Sequence, residues 1–325
     1  MTDKGSETVE DLLALVRNDQ PASPERRMEA ISRLTECVDE TTQPQLLAAL
    51  IACINEDESP RVVAHCIGVL SRLKAYSAVM ELIDVAMGCR IRLFEAEAFA
   101  SFRASEEAVR LRCTAIRALS RMGDDRAIIP LMSILNNREE NYRIRLDAAE
   151  SLGRLGDTHA VTPLLDIVAD EREKSLYLKE SAVKALGMLG DIRALDTLIN
   201  VLESKKGIRD KFMFLKEQII EAIGRIGSSS ASRSVVNSLV RTLRDEAPSI
   251  RLAAVESLGM VGDASCLEAL KGMLGDPDPE VCRAAVDAIG RIGGRRELEL
   301  LLDSENLPML ILEAVREHLS DAEDE

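Results

Sequence analysis

Apolar residues along this chain recur with the period of an α-helix, and one helical phrase returns six times between residues 115 and 294. Aligned on a shared glycine, the copies read AIRALSRMGD (115–124), AAESLGRLGD (148–157), AVKALGMLGD (182–191), IIEAIGRIGS (219–228), AVESLGMVGD (254–263) and AVDAIGRIGG (285–294). The residues one, four, seven and eight before the glycine are apolar in every copy, as in Met122, Leu119, Ile116 and Ala115, which marks one buried helical stripe. Glycine enters the left-handed conformation without a β-carbon clash, so Gly123, Gly156, Gly190, Gly227, Gly262 and Gly293 are predicted to end their helices. Asp124, Asp157, Asp191 and Asp263 follow directly and precede further apolar runs, as N-caps of the next helix do. The glycines lie 31 to 37 residues apart, a period that predicts stacked two-helix units.

Two further columns run through the repeats. Three residues before the glycine stand Ser120, Gly153, Gly187, Gly224, Gly259 and Gly290. Glycine within a helix costs about 1 kcal/mol against alanine, so its recurrence predicts close backbone approach between neighbouring units. Eleven before the glycine stand Arg112, Arg145, Lys179, Lys216 and Arg251, with Cys282 breaking the series and Arg283 displaced by one. Such a ladder suits phosphate binding, but also cations that pair with the acidic caps of a neighbouring unit and stitch the stack together, which is the stronger reading.

These residues closely resemble the HEAT repeat family, and within it the short phycobilisome-lyase-like class, whose pattern is a basic residue followed by A-x-x-A-L-G-x-[LI]-G-D. The resemblance is firm over 106–294. It implies an all-α fold, a right-handed α-solenoid of about eight to nine helix pairs. The expected organisation is an N-terminal tail at 1–8, one array over 9–320 and an acidic tail at 321–325. Within the array, divergent repeats occupy 9–75, with Arg61, Leu70 and Leu73 at repeat positions but no Gly-Asp ending; regular repeats occupy 76–294 and a capping pair 295–320.

Composition narrows the function. The net charge of −15 opposes nucleic-acid binding, which needs a basic surface. The longest apolar stretch, Leu46 to Ile54, is far shorter than the roughly 20 residues of a membrane span. Met1 to Glu10 is too polar for a signal peptide, so the expected location is cytoplasmic. Cys37, Cys53, Cys66, Cys89, Cys113, Cys266 and Cys282 form no C-x-x-C pair and read as reduced, small buried hydrophobes. His65, His159 and His318 stand apart and form no His-Glu dyads, unlike the deoxyhypusine hydroxylase branch of HEAT-repeat enzymes with its di-iron centre. HEAT-repeat DNA glycosylases need a positive cleft and aromatic residues, and this acidic chain has no Trp. No catalytic constellation and no cofactor motif stands out.

Two surfaces carry the functional expectation. All five phenylalanines fall in two insertions that lengthen the connectors within a unit: Phe94, Phe99 and Phe102 in 89–105, and Phe212 and Phe214 in 203–214. Tyr142 and Tyr177 occupy equivalent connectors, so these aromatics are expected along one edge of the array. The segment from Glu203 to Lys216 carries five basic and two acidic residues, with Lys205, Lys206 and Arg209 beside Phe212. Aromatic and arginine side chains anchor protein interfaces; the alternative is that the phenylalanines fold back over the stack. The second surface comprises the residues six and two before the glycine: Arg117 and Arg121, Glu150 and Arg154, Lys184 and Met188, Glu221 and Arg225, Glu256 and Met260, Asp287 and Arg291. Three are acid-to-base pairs at i, i+4, as on a solvated face, whereas the family resemblance implies that second helices line a concave docking side. Met188 and Met260 suit adaptable binding there.

The resulting expectation is a non-enzymatic scaffold or adaptor that binds another protein, with the monomer favoured. The alternative is an accessory protein of the phycobilin lyase, chromophore-handling type.

Overall fold

The computed structural model describes residues 7–19, 21–37, 39, 41–57, 59–89, 106–204, 213–230, 232–302 and 308–321. Among these residues every regular element is helical. The chain divides into two compact units, residues 1–157 and 158–325. The first contains four pairs: α1 (Val9–Val16) with α2 (Pro24–Glu36), α3 (Gln43–Glu56) with α4 (Pro60–Arg72), α5 (Val79–Met87) with α6 (Glu106–Met122), and α7 (Ile128–Asn136) with α8 (Tyr142–Leu155). The second contains α9 (Val161–Ala169) with α10 (Leu176–Leu189), α11 (Leu195–Glu203) with α12 (Met213–Gly227), and α13 (Arg233–Thr242) with α14 (Pro248–Val261). It closes with α15 (Leu267–Gly272), α16 (Pro279–Leu302), which non-helical Gly294 breaks into two helical segments, and α17 (Met309–Asp321). Second helices pack on second helices, α2 on α4, α6 and α8 in turn in one unit and α10 on α12, α14 and α16 in turn in the other. This is the all-α solenoid arrangement, repeated within each unit. Its core is aliphatic; the largest fully buried side chains are Ile and Leu, such as Ile31, Leu50, Ile116 and Leu152. Five cysteines share that core, whereas Cys37 and Cys89 are exposed, contrary to a uniformly buried set.

The helix endings follow the glycine column with two departures. Gly123, Gly156, Gly190 and Gly262 take φ between 66° and 79°. Gly227 instead closes α12 in helical conformation, and glycine stands there because a β-carbon would lie 3.0 Å from Val235 Cγ1 and 3.1 Å from Val261 Cγ2. Gly293 is also helical, and the positive φ of 63° falls on Gly294. Asp124, Asp191 and Asp263 do not cap the next α-helix directly. Each accepts from the amide two residues on, Arg126, Arg193 and Ser265 at 3.0, 2.9 and 2.8 Å, capping a 3₁₀ turn that leads into the helix. Arg126 and Arg193 then reach the backbone oxygens of Tyr76 and Thr158 in the preceding pair, at 2.9 and 3.0 Å. Of the expected N-terminal tail, Glu7 and Thr8 are described; Thr8 caps α1 through a reciprocal box with Asp11.

Small residues set the spacing of second helices. A β-carbon on Gly224 of α12 would meet Ser257 Cα of α14 at 2.9 Å, and one on Gly259 would meet Ala288 Cα of α16 at 3.2 Å. Close backbones let serines bond across the interface. Ser257 Oγ donates to Ile220 O at 3.0 Å, and in the first unit Ser151 donates to Ile116 O and Ser71 to Ala118 O, both at 3.4 Å. We expect Gly224→Ala to lower stability to urea by about 1–3 kcal/mol through overpacking, although alanine gains about 1 kcal/mol of helix propensity. Gly187→Ala, whose β-carbon would meet Ala222 Cα at an ordinary 3.4 Å, should be neutral or stabilising. Equal effects of the two substitutions would contradict this account of the spacing.

Candidate functional site

Where a first helix ends, its last carbonyl groups lack partners within the helix. The cation ladder supplies them. Arg27 donates to Leu15 O and Val16 O at 3.2 and 2.9 Å, Arg112 to Ala86 O at 2.8 Å, Arg145 to Leu135 O at 3.0 Å and Lys179 to Val168 O at 3.3 Å. Two of these cations, Arg27 and Arg112, and the further rungs Lys216 and Arg251 reach forward to an acid in the connector of the next pair. Arg27 pairs with Asp57 and Lys216 with Asp245. Arg112 forks onto Glu140 at 3.0 and 2.6 Å, and Arg251 onto Asp276 at 2.7 Å from each nitrogen. The ladder therefore stitches the stack, but its acids are these connector residues and not the Gly-Asp caps. Arg61 has no place in it: its side chain is exposed and meets Glu25 at 2.8 Å, and buried Val63 stands at the rung of its repeat. At the last rung the Cys282 thiol bonds Leu274 O and Asp276 O, at 3.5 and 3.2 Å.

With the connector polar groups consumed in stitching, the aromatics beside them are left outside. Tyr142 is 45% exposed in the first turn of α8, beneath the Arg143 guanidinium at 6.0 Å. Tyr177 is 66% exposed in the first turn of α10, and Phe214 is 58% exposed in the first turn of α12 beside Met213. Tyr177 and Phe214 occupy one repeat position, thirteen before the terminal glycine, and Tyr142 the adjacent one. Phe94, Phe99, Phe102, Lys205, Lys206, Arg209 and Phe212 lie outside the described residues. A cleft of about 380 Å³ is lined by Glu203, Lys216, Ser238, Arg241 and Asp245, and in it Arg241 pairs with Glu203.

On the second-helix face Arg121, Arg154, Arg225 and Arg291 are exposed, while Met188 and Met260 are half-buried. Arg154 meets Glu150 at 3.5 Å and Arg225 meets Glu221 at 2.6 Å. The third expected pair is not formed in that way, since Asp287 faces His318 Nδ1 of α17 at 3.3 Å. Arg117 turns to Asp147 of the next second helix at 3.6 Å. A smaller cleft of about 250 Å³ lies between α12 and α14, with Glu217, Glu221 and Glu256 on its walls and Leu252, Ala253 and Met260 within it.

One residue of this face escapes the repeat count. The run CIGVLSRLK (66–74) superposes on AIRALSRMG (115–123), so Arg72 stands where Arg121 does. Lys74, at φ 48°, takes the place of the terminal glycine. The missing Gly-Asp concealed the match. Seven residues before Arg72, the half-buried His65 meets Ser32 Oγ at 3.1 Å; its pKa is lowered by burial first and by Arg72 second, so it is neutral near pH 7. Among the described residues no three His, Cys, Asp or Glu side chains converge as metal ligands, and no helix is long and apolar enough to cross a membrane.

Four overlapping segments, 96–176, 138–212, 208–272 and 236–307, match the family model of HEAT repeats and together cover more than half of the chain. Among solved structures the chain is similar to Kap95p, in a complex with RanGDP, at 15% identity over 97% of this chain and 47% of that one, with a TM-score of 0.58. It is similar to Kap121p at 12% identity over 98% and 38%, with a TM-score of 0.55. It also resembles the complex of CpcE and CpcF of phycocyanin lyase from Nostoc sp., at 18% identity over 84% and 94%, with a TM-score of 0.44, a superposition too loose to bear on function. These likenesses are of fold, and the chain spans less than half the length of Kap95p or Kap121p. No curated protein sequence matches the chain.

The ladder generates two expectations. Arg112→Met removes both guanidinium bonds from a nearly buried Glu140 carboxylate and should cost up to about 3–5 kcal/mol in urea unfolding, most of it recovered when Glu140→Met is added. A double variant no better than the single one would contradict the pairing. The second expectation concerns pH: the Arg251 fork holds the Asp276 carboxyl below its ordinary pKa. Because the folded value is the lower one, the contribution is present above about pH 4 and lost as pH falls through the folded pKa. The urea midpoint of Asp276→Asn should therefore vary less between about pH 5 and pH 3 than that of the parent, and parallel curves would exclude the contribution.

Proposed function

The chain belongs to the HEAT repeat family, and on that premise we propose that it is a non-enzymatic, cytoplasmic scaffold or adaptor that binds another protein. The binding surfaces are the second-helix face, with Arg121, Arg154, Met188, Arg225, Met260 and Arg291, and the connector edge. That edge comprises Phe102, Tyr142, Tyr177, Lys205, Lys206, Arg209, Phe212 and Phe214. The carrying observation is that Tyr177 and Phe214 repeat one exposed position, and Tyr142 is exposed one residue from it on the preceding repeat, in a protein with 2% aromatic residues. The aliphatic core does not need rings, and solvent does not favour them. Exposed rings in the first turn of successive second helices are what a partner surface would select, since Tyr and Phe supply contact area at low entropic cost.

The test is capture of partners from extracts of the source organism on the tagged chain, followed by quantitative mass spectrometry and a visible spectrum of each eluate. Tyr177→Ala with Phe214→Ala should deplete one protein about tenfold or more, the loss typical of a truncated interface anchor, while the melting temperature stays unchanged. Equal recovery on both forms would remove the aromatic edge from the interface. A coloured eluate would favour the chromophore-handling alternative.

A further inference from the structure

On three successive second helices of the first unit the residue two before the left-handed terminal residue (Lys74, Gly123 or Gly156) is arginine: Arg72 on α4, Arg121 on α6 and Arg154 on α8. The serine bonds bring these positions level. Ser71, next to Arg72, bonds the carbonyl of Ala118, one turn before Arg121, and Ser151, one turn before Arg154, bonds the carbonyl of Ile116. All three arginines are exposed. Arg117 adds a fourth exposed cation one turn before Arg121. Beside it, at the equivalent position of α4, Gly68 leaves open space, for a β-carbon there would meet no atom within 4 Å.

A cation near a helix C-terminus is favoured by the helix dipole, which accounts for one arginine per helix. In a chain with 56 acidic and 41 basic residues, it does not account for the lack of acids at these positions of α4 and α6, where Arg117 alone meets an acid, Asp147 of the next second helix at 3.6 Å. Among the described residues neither Arg72 nor Arg121 has a carboxylate partner, whereas Arg154 has Glu150 at the long distance of 3.5 Å.

We propose that this arginine stripe seats an acidic segment of a partner protein, whose Asp and Glu side chains pair with Arg72, Arg121 and Arg154. The inference rests on the scaffold reading above and names the chemistry of the partner at one of its surfaces. Guanidinium groups bind carboxylates through two parallel hydrogen bonds. Second helices packed at roughly 8–10 Å match an extended peptide with an acid at about every third residue, given a rise of about 3.3 Å per residue. A short acidic peptide is favoured over nucleic acid because the chain's net charge of −15 repels a long polyanion.

The test is fluorescence anisotropy at low salt and at about 0.15 M salt. The probes are a labelled peptide of about twelve residues with glutamate at every third position, its glutamine counterpart and an oligothymidine of similar length. The glutamate peptide should bind at least tenfold more tightly than the other two, and Arg72→Gln with Arg121→Gln should weaken it at least tenfold. Arg233→Gln, on an exposed first-helix position of the second unit, should leave it unchanged. The single variant Arg121→Gln, with helicity checked by circular dichroism, gives an intermediate loss and carries the test if the double variant misfolds. Equal binding by variant and parent, preference for oligothymidine, or no binding of the glutamate peptide would each overturn the proposal. A captured protein that depends on Tyr177 and Phe214 but is not displaced by the glutamate peptide would overturn it and leave the scaffold reading standing. Peptide binding without any captured partner would support the stripe while removing that reading.

Discussion

A methyl group added to Gly224 would sit 2.9 Å from the α-carbon of Ser257, and that closeness of second helices is what the rest of the structure depends on. It explains an aliphatic core made without Trp, because bulky side chains would hold the helices apart. It brings serine hydroxyls within reach of carbonyl groups on the adjacent helix. It also presses the connectors of successive pairs together, so that the cation at the start of one second helix finds the acid of the following connector. Stacking and electrostatics are thus one arrangement: the spacing set by Gly224, Gly259 and their counterparts places the charges that seal the ends of the first helices.

This arrangement also sorts the surface. Nearly buried pairs such as Arg112 with Glu140 and Arg251 with Asp276 occupy the turn ends, where breaking them leaves an uncompensated charge. Outside them, the side chains are not constrained by the fold. Tyr142 and Tyr177 project from first turns already capped by others, α8 by Asn141 and α10 by Ser175, and Phe214 is likewise exposed in the first turn of α12. The second-helix face is similarly unconstrained, and its character differs between units, with arginines grouped at Arg72, Arg117 and Arg121 in one and carboxylates at Glu217, Glu221 and Glu256 around the cleft of the other.

Much of the frame is legible in the sequence because it is periodic. Met122, Leu119, Ile116 and Ala115 announce a buried stripe, and Gly123, Gly156, Gly190 and Gly262 end helices for the reason their φ values display. What the pattern hides are residues doing the same task with different chemistry. Lys74 adopts the left-handed turn that glycine takes elsewhere, so the repeat containing Arg72 lacks its marker. Gly227 keeps the motif but answers to Val235 and Val261, not to backbone conformation. The acids of the ladder are equally hidden, since Asp57, Glu140, Asp245 and Asp276 sit in connectors whose lengths differ, and only packing shows that they share a role. For the candidate surfaces, sequence marks Tyr142, Tyr177 and Phe214 as unusual, while their exposure depends on the side chains that enclose them.

Cys282 carries a consequence for how such a chain changes length. An interior repeat such as that of α13 and α14 contributes both an acid, Asp245, that answers the cation before it and a cation, Arg251, that requires an acid after it. Gene duplication of that block would copy donor and acceptor together, so an array can grow or shrink by whole modules without stranding a buried charge. The repeat of α15 and α16 accepts from its predecessor through Asp276 but presents a neutral thiol to whatever follows. The repeat of α3 and α4 has the same form, with Asp57 answering Arg27 and Val63 at its own rung, and further repeats follow it, so a neutral rung is a joint at which modules can meet without matching charges.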